Sequence, residues 1–223
     1  MAEPRPLGRE ASTRAVPTAP LARLEPVTLA GHGLRLEPLS AAHVPGLREV
    51  VADGEIHRLP FAPHVPTPEE VAASVRGLCA EVEAGTRLAW TVVRETDGTV
   101  LGLTTFMNLA LADRGLEIGN TYLAASTHRT GVNTAMKRLL LGHAFDELGL
   151  LRVEFRVHHL NLASRRAVEA LGAQQDGILR AHRILPDGSV RHTVVYSILA
   201  HEWPGIRAML EGRIGRTPHS ARG

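Results

Sequence analysis

The amino-acid sequence predicts an α/β chain of the α+β kind, with a central, mostly antiparallel sheet flanked by helices. Two turn signals, Asp97-Gly98 and Pro186-Asp187-Gly188, lie between apolar extended runs as hairpin turns do. Apolar spacing is helical over residues 68–84 and becomes strand-like from Leu88. Helices and strands are not in regular alternation, so a doubly wound parallel sheet is not expected.

Residues 1–25 combine Pro, Arg, Ala and Thr without apolar periodicity, the composition of a flexible arm, and residues 217–223 read the same way. No linker or internal repeat interrupts residues 26–216, which are expected to form one domain. That domain opens with an extended segment at 34–39, after which Ser40 is the expected N-cap of a helix through Leu47, Val50 and Val51. Thr67-Pro68-Glu69-Glu70 sets a cap, a first-turn proline and a capping-box carboxylate in order, which predicts a helix over 68–84 ended by Gly85. Runs at 88–94, 100–107 and 116–123 are expected to make an antiparallel meander. Between 130 and 148, Val132, Met136, Leu140 and Ala144 recur every four residues, so a central helix is predicted there, stopped by Gly149. A strand at 152–157, a short helix at 163–171 closed by Gly172, a hairpin of 178–185 with 190–199 and a last helix at 202–213 complete the order.

The composition narrows the function classes. Twenty-five basic and 23 acidic residues nearly balance, and the basic ones are scattered rather than gathered into a stripe, which argues against nucleic-acid binding. Lys137 is the only lysine. Cys79 is the only cysteine, so no internal disulfide can form, and its place in an apolar helical stripe marks it as a structural thiol. No apolar run approaches the ~20 residues of a membrane span, and the N-terminal residues lack the apolar stretch of a signal peptide; the cytoplasm is the expected location. Twelve histidines include His158-His159, His182 and His192, but their spacing is not that of metal ligands, and no metal is expected.

The informative stretch runs from Glu117-Ile118-Gly119-Asn120-Thr121-Tyr122-Leu123 through a short turn to His128-Arg129-Thr130-Gly131-Val132-Asn133-Thr134. A strand, a Gly-bearing turn and a long helix bring unpaired backbone N–H groups to one point, where the helix dipole also favours an anion. The same pattern also describes an ordinary strand-to-helix connection. Neither a Walker loop nor a G-x-G-x-x-G sequence is present.

This stretch resembles the pyrophosphate-binding motif of GNAT N-acetyltransferases, Gln/Arg-x-x-Gly-x-Gly/Ala, with His128 in the first position and Asn133 in the last. Leu34-Arg35-Leu36-Glu37-Pro38-Leu39, Asn161-x-x-Ser164 ahead of Leu171-Gly172-Ala173, and Leu185-Pro186-Asp187-Gly188 resemble the RimJ/RimL-type branch. The resemblance implies acetyl-CoA as co-substrate, a primary amine as acceptor, either a protein N-terminal α-amine or a small molecule, and a homodimer. It also implies that backbone groups of Thr121, Tyr122 and Leu123 pair with the pantetheine arm, and that the turn around His128 holds the pyrophosphate through N–H groups from Arg129 to Thr134. Asn161 would bond the pantetheine or thioester end, so that CoA bridges two splayed strands.

Glu117 precedes His128 by eleven residues, the spacing of the strand glutamate that acts as base in some members of the family. A neutral amine is needed for attack on a thioester, which gives such a base its use. A strand N–H near Leu123 would stabilise the oxyanion. The tyrosine that protonates the thiolate in many members is replaced by Val168, leaving Ser164 as the nearest hydroxyl, with helix capping as its alternative role. The acceptor pocket is expected between the first two helices and the loop at 55–67, which carries His57, Arg58, Phe61 and His64. Two other readings stay open: an acyl-CoA-binding sensor or scaffold of the same fold, suggested by His128, Asn133 and Val168, and a nucleotide- or RNA-associated module, suggested only by the mildly basic balance and the arginines of the arm.

Overall fold

A computed structural model describes residues 21, 23–59 and 61–215 of the protein. Eight strands among the described residues form one sheet in the order β1-β2-β3-β4-β5-β6-β8-β7. They are β1 (Leu29–Gly31), β2 (Leu34–Pro38), β3 (Leu88–Arg94), β4 (Val100–Ala110), β5 (Gly115–Leu123), β6 (Arg152–His158), β7 (Gln174–Ile184) and β8 (Val190–Leu199). Neighbours are antiparallel throughout except for β5 and β6, which run parallel. The α+β expectation therefore holds.

Five α-helices among the described residues cover the two faces: α1 (Val44–Ala52), α2 (Val71–Glu83), α3 (Val132–Gly142), α4 (Leu162–Ala170) and α5 (Trp203–Ile214). On one face Met136, Leu140 and Leu141 of α3 and Ile206 and Leu210 of α5 bury Trp90, Phe106, Ile118 and Phe155 of the sheet. On the other, Leu47, Val50 and Val51 of α1 and Val71, Val75 and Leu78 of α2 enclose Leu103 and Tyr122. Each of these helices turns an apolar stripe inward, which is why four-residue recurrences are readable in the sequence.

Several boundaries differ from expectation. β1 has no counterpart in the sequence pattern, because three residues are too few to show an alternation; it returns to β2 through His32 and Gly33, both at positive φ. Ser40 opens a 3₁₀ turn, Ala41–His43, ahead of α1, and its N–H bonds to Nδ1 of His43 at 3.2 Å. The capping box at Thr67 is half made, the Thr67 N–H bonding Oε2 of Glu70 at 3.0 Å, but regular helix begins only at Val71. The central helix narrows to Val132–Gly142 and ends in a wider π turn, His143–Glu147. Of the arm expected over residues 1–25, residues 1–20 and 22 lie outside the described residues, while Leu24 is buried in the core and the Trp90 indole donates to the Val27 carbonyl at 2.8 Å. Residues 217–223 of the expected tail also lie outside the described residues. Cys79 is partly buried on α2 and its Sγ–H faces the Leu39 carbonyl at 3.7 Å. No helix among the described residues is long and apolar enough to cross a membrane.

The feature that positions the site is the parallel pair. β5 and β6 are paired only over Gly115 with Arg152, Leu116 with Val153 and Glu117 with Glu154. Past that point β5 stays with β4 while β6 stays with β8, out to His158 opposite Thr193. The β4–β5 ladder shifts register twice, and Asn108 and Asn120 carry φ of 48° and 47°. Bulges of this kind bend a strand, and here they turn β5 away from β6.

Candidate active site

The gap between the parting strands opens into a cleft of about 1180 Å³. Its walls come chiefly from β5, β6, α4, the start of α3, the loop after α1 and the β7–β8 hairpin. From Ile118 onward the edge of β5 that faces β6 has no strand partner among the described residues, so part of its backbone is left to bond something within the cleft. Thr121, Tyr122 and Leu123 lie on this stretch and line the cleft.

At one end of the cleft β5 gives way to a 3₁₀ turn, Ala125–Thr127, and then to the start of α3. Arg129 and Gly131 take φ of 64° and 92°, so the backbone folds back on itself just before the helix. The Thr130 hydroxyl donates to the Thr127 carbonyl at 2.6 Å and stiffens the turn. Among the described residues no side chain caps α3. The N–H groups of Val132, Asn133 and Thr134 open the helix before its first i to i−4 bond, from Ala135 to Gly131, at 3.0 Å. The Thr130 N–H, by contrast, is used within the turn, bonding the Thr127 carbonyl at 3.3 Å. His128, Arg129, Gly131, Asn133 and Thr134 line the cleft, whereas Thr130 and Val132 are not among its walls.

Glu117 stands where the strands part. It is buried, and Oε2 accepts a hydrogen bond from Asn108 Nδ2 at 2.6 Å, with Arg156 Nε 3.5 Å away. Burial pushes its pKa above the ordinary glutamate value, against the opposing pull of Asn108 and Arg156. Gly119 keeps room for it, since a Cβ there would come within 2.9 Å of Glu117 Oε1.

α4 forms the opposite wall. Its N-cap is Asn161, whose Oδ1 accepts the Ser164 N–H at 3.0 Å, so capping does not use the Ser164 hydroxyl. Asn161, Ser164 and Val168 all line the cleft. Tyr196 lies outside it, with its hydroxyl donating to Glu169 at 2.8 Å and accepting from Arg165 at 3.0 Å. Tyr122 is buried, and burial holds its hydroxyl proton on well above the ordinary tyrosine pKa.

The loop after α1 divides the residues expected to meet an acceptor. Phe61 and His64 line the cleft. His57 and Arg58 do not: the His57 ring bonds the Val51 carbonyl at 3.3 Å, and Arg58 pairs with Glu55 at 3.1 Å. His64 keeps an exposed side chain on the cleft wall; partial desolvation there holds its pKa below the ordinary histidine value, while a bond to the Thr121 backbone works the other way. Asp53 Oδ2 accepts the Ser126 N–H at 2.9 Å and fastens this loop to the turn ahead of α3.

Sequence reasoning missed several residues of the cleft. Asn120, at a bulge, has a buried Oδ1 with no hydrogen-bond partner. Arg183 and Arg191 face each other across the β7–β8 hairpin, and neither forms an ion pair with a carboxylate among the described residues. Lys137 of α3 is buried among the walls. Of these, only the lone lysine carried a signal in the sequence. Among the described residues no group of three His, Cys, Asp or Glu side chains is arranged to hold a metal ion.

Comparison with known proteins agrees with this geometry. The family described as "Acetyltransferase (GNAT) domain" matches residues 33–174, more than half of the chain. A structure from T. thermophilus, provisionally described as an acetyltransferase, shares 40% identity over 85% of this chain and 98% of its own, with a TM-score of 0.74. Mycobacterium smegmatis RimJ, solved in complex with CoA-disulfide, shares 25% identity over 86% of this chain and 96% of its own, with a TM-score of 0.72. YdaF of Bacillus subtilis (strain 168), provisionally named a ribosomal N-acetyltransferase, is 34% identical over 109 residues, which is 49% of this chain and 58% of YdaF. The chain thus spans little more than half the length of that relative. With strands that part beside an uncapped helix start, and with this family match over the same elements, the protein belongs to the GNAT acetyltransferase family.

Proposed function

We propose that the protein transfers an acetyl group from acetyl-CoA to a primary amine, either a protein N-terminal α-amine or that of a small molecule. The observation that carries this reading is the end of β5–β6 pairing at Glu117 and Glu154, which leaves one strand edge free beside the uncapped start of α3. An anion is favoured at such a helix start, and we assign the CoA pyrophosphate to the N–H groups of Arg129 and of Gly131 to Thr134. The pantetheine arm is assigned to the free edge at Thr121, Tyr122 and Leu123. RimJ with its bound CoA-disulfide supports CoA as the ligand.

Glu117 is assigned as the base that takes the proton from the attacking amine. Its raised pKa fits it to hold a proton nearer neutrality than an ordinary carboxylate does. A β5 N–H near Leu123 is assigned to the oxyanion. Ser164 is assigned a hydrogen bond to the departing sulfur, supported by the cap on α4 being Asn161. On the acceptor side, Arg156, Arg183 and Arg191 line the cleft with Phe61 and His64. This balance of charge favours an amine that carries an acidic group close by.

The test is calorimetric titration with acetyl-CoA, CoA and ATP, followed by thiol release with a panel of small amines and of peptides with acidic or basic second residues. Micromolar acetyl-CoA binding and amine-dependent release, fastest with acidic acceptors, is the expected result. Binding without release from any acceptor would support a sensor or scaffold instead.

A further inference from the structure

Lys137 is the only lysine of the chain and is buried in the wall of the cleft. Its Nζ donates to Oγ1 of Thr121 at 3.1 Å and lies 5.7 Å from the centre of the Phe155 ring. Thr121 Oγ1 is itself bonded to Thr104 Oγ1 at 2.8 Å. An ammonium has three protons to place; one meets a threonine oxygen, and no carboxylate among the described residues pairs with it. A buried cation with so little compensation is costly unless something else meets it.

We propose that Lys137 gives the departing CoA thiolate its proton. This rests on the acetyl-transfer reading of the cleft. In the step, the acceptor nitrogen bonds to the acetyl carbon and passes its proton to Glu117. The carbon–sulfur bond breaks, its electron pair goes to sulfur, and sulfur takes a proton from Nζ. Water then returns a proton from Glu117 to Lys137, so that amide and free thiol are the only net products.

The other candidate donors fit less well. Tyr122 holds its proton more tightly than an ordinary tyrosine, Tyr196 spends its own on Glu169, and a serine hydroxyl is a very weak acid at neutral pH. Burial, with no charged neighbour contributing, brings the Lys137 pKa from 10.5 down to about 7. A thiol has a pKa of about 8.5, so transfer from such an ammonium runs downhill. The titratable groups that line the cleft from the surrounding elements are Glu117 and Tyr122 on β5, Arg156 and His158 on β6, and His128 and Arg129 ahead of α3; β6 also carries Arg152 and Glu154, which pair with each other at 3.0 Å. Arg165 and Glu169 of α4 are engaged with Tyr196, and Arg138 of α3 pairs with Glu211 at 2.7 Å.

A single lysine makes a direct measurement possible, because ¹³C-lysine labelling reports one side chain by NMR. Its titration would be followed in the free protein, with CoA and with desulfo-CoA. The expected midpoint is near 7 in the free protein and differs between CoA and desulfo-CoA, since only CoA presents the sulfur. An ordinary midpoint, or identical titrations with both ligands, would overturn the proposal while leaving CoA binding intact. In parallel, Lys137→Met should keep its melting temperature and acetyl-CoA affinity, lose about a hundredfold in kcat, and lose the decline in rate that the wild type shows as pH rises through the lysine pKa. Lys137→Met with wild-type rate and pH profile would also sink the proposal, although thiol release by the wild type would still stand. A wild type that neither binds acetyl-CoA nor releases thiol would instead remove the acetyl-transfer reading, and this proposal with it.

Discussion

Asn108 donates its side-chain N–H to Glu117 Oε2 at 2.6 Å, across a bulge in the β4–β5 ladder that leaves Asn108 at a φ of 48°. The contact stabilises the carboxylate, while burial of the same group favours the protonated acid. The balance between the two sets the pH range in which Glu117 is ionised.

Glu117→Gln keeps an oxygen for Asn108 and removes a buried charge. Turnover at neutral pH should fall by about a hundredfold or more, with acetyl-CoA affinity nearly unchanged by calorimetry. Burial raises the folded-state pKa of Glu117, so the native protein binds more protons than the unfolded one between the ordinary and the raised value. Stability therefore falls as pH rises through that window, and the variant should lose this dependence without melting earlier. A rate unchanged across pH would remove Glu117 as the base.

Asn108→Leu removes the donor that holds Glu117 ionised. The acidic limb of the rate profile should move to higher pH, with the plateau rate less affected than the limb. A limb that stays in place would mean that the contact does not tune Glu117.

Gly131→Ala places a Cβ on a residue with φ of 92°, a left-handed conformation that costs an L-residue about 1–2 kcal/mol. The start of α3 would have to shift, so acetyl-CoA binding should weaken by about tenfold. Asn133→Ala should act in the opposite direction and tighten binding, because its side chain stands next to the N–H groups assigned to the pyrophosphate. Calorimetry of both variants against acetyl-CoA tests the assignment; equal affinities throughout would place the phosphates elsewhere.

Ser164→Ala and Asn161→Ala separate catalysis from capping. Losing the Asn161 cap should cost about 1 kcal/mol and lower the melting temperature by a few degrees. Ser164→Ala should leave melting unchanged and lower the rate of thiol release more than acetyl-CoA affinity. If Ser164→Ala chiefly destabilises the protein, its hydroxyl serves the fold and not the sulfur.

The class of fold, the order of the elements and the turn at His128–Gly131 are legible in the residue order alone. These are written locally: a helix repeats its apolar residues within a few positions, a hairpin needs Asp97-Gly98 or Asp187-Gly188 at its tip, and the turn before α3 needs a glycine at positive φ. Even so, three-residue β1 and the late start of α2 lie below what periodicity can show. What surrounds each reactive side chain is settled by folding in three dimensions. Glu117 meets Asn108 because bulges set the register of β4 on β5, and Lys137 meets Thr121 because α3 packs across the place where β5 leaves β6. The same packing turns Phe61 and His64 into the cleft and leaves His57 and Arg58 outside it. A proton affinity depends on burial and on neighbours brought from distant parts of the chain, and neither is recorded in the residues that flank a position.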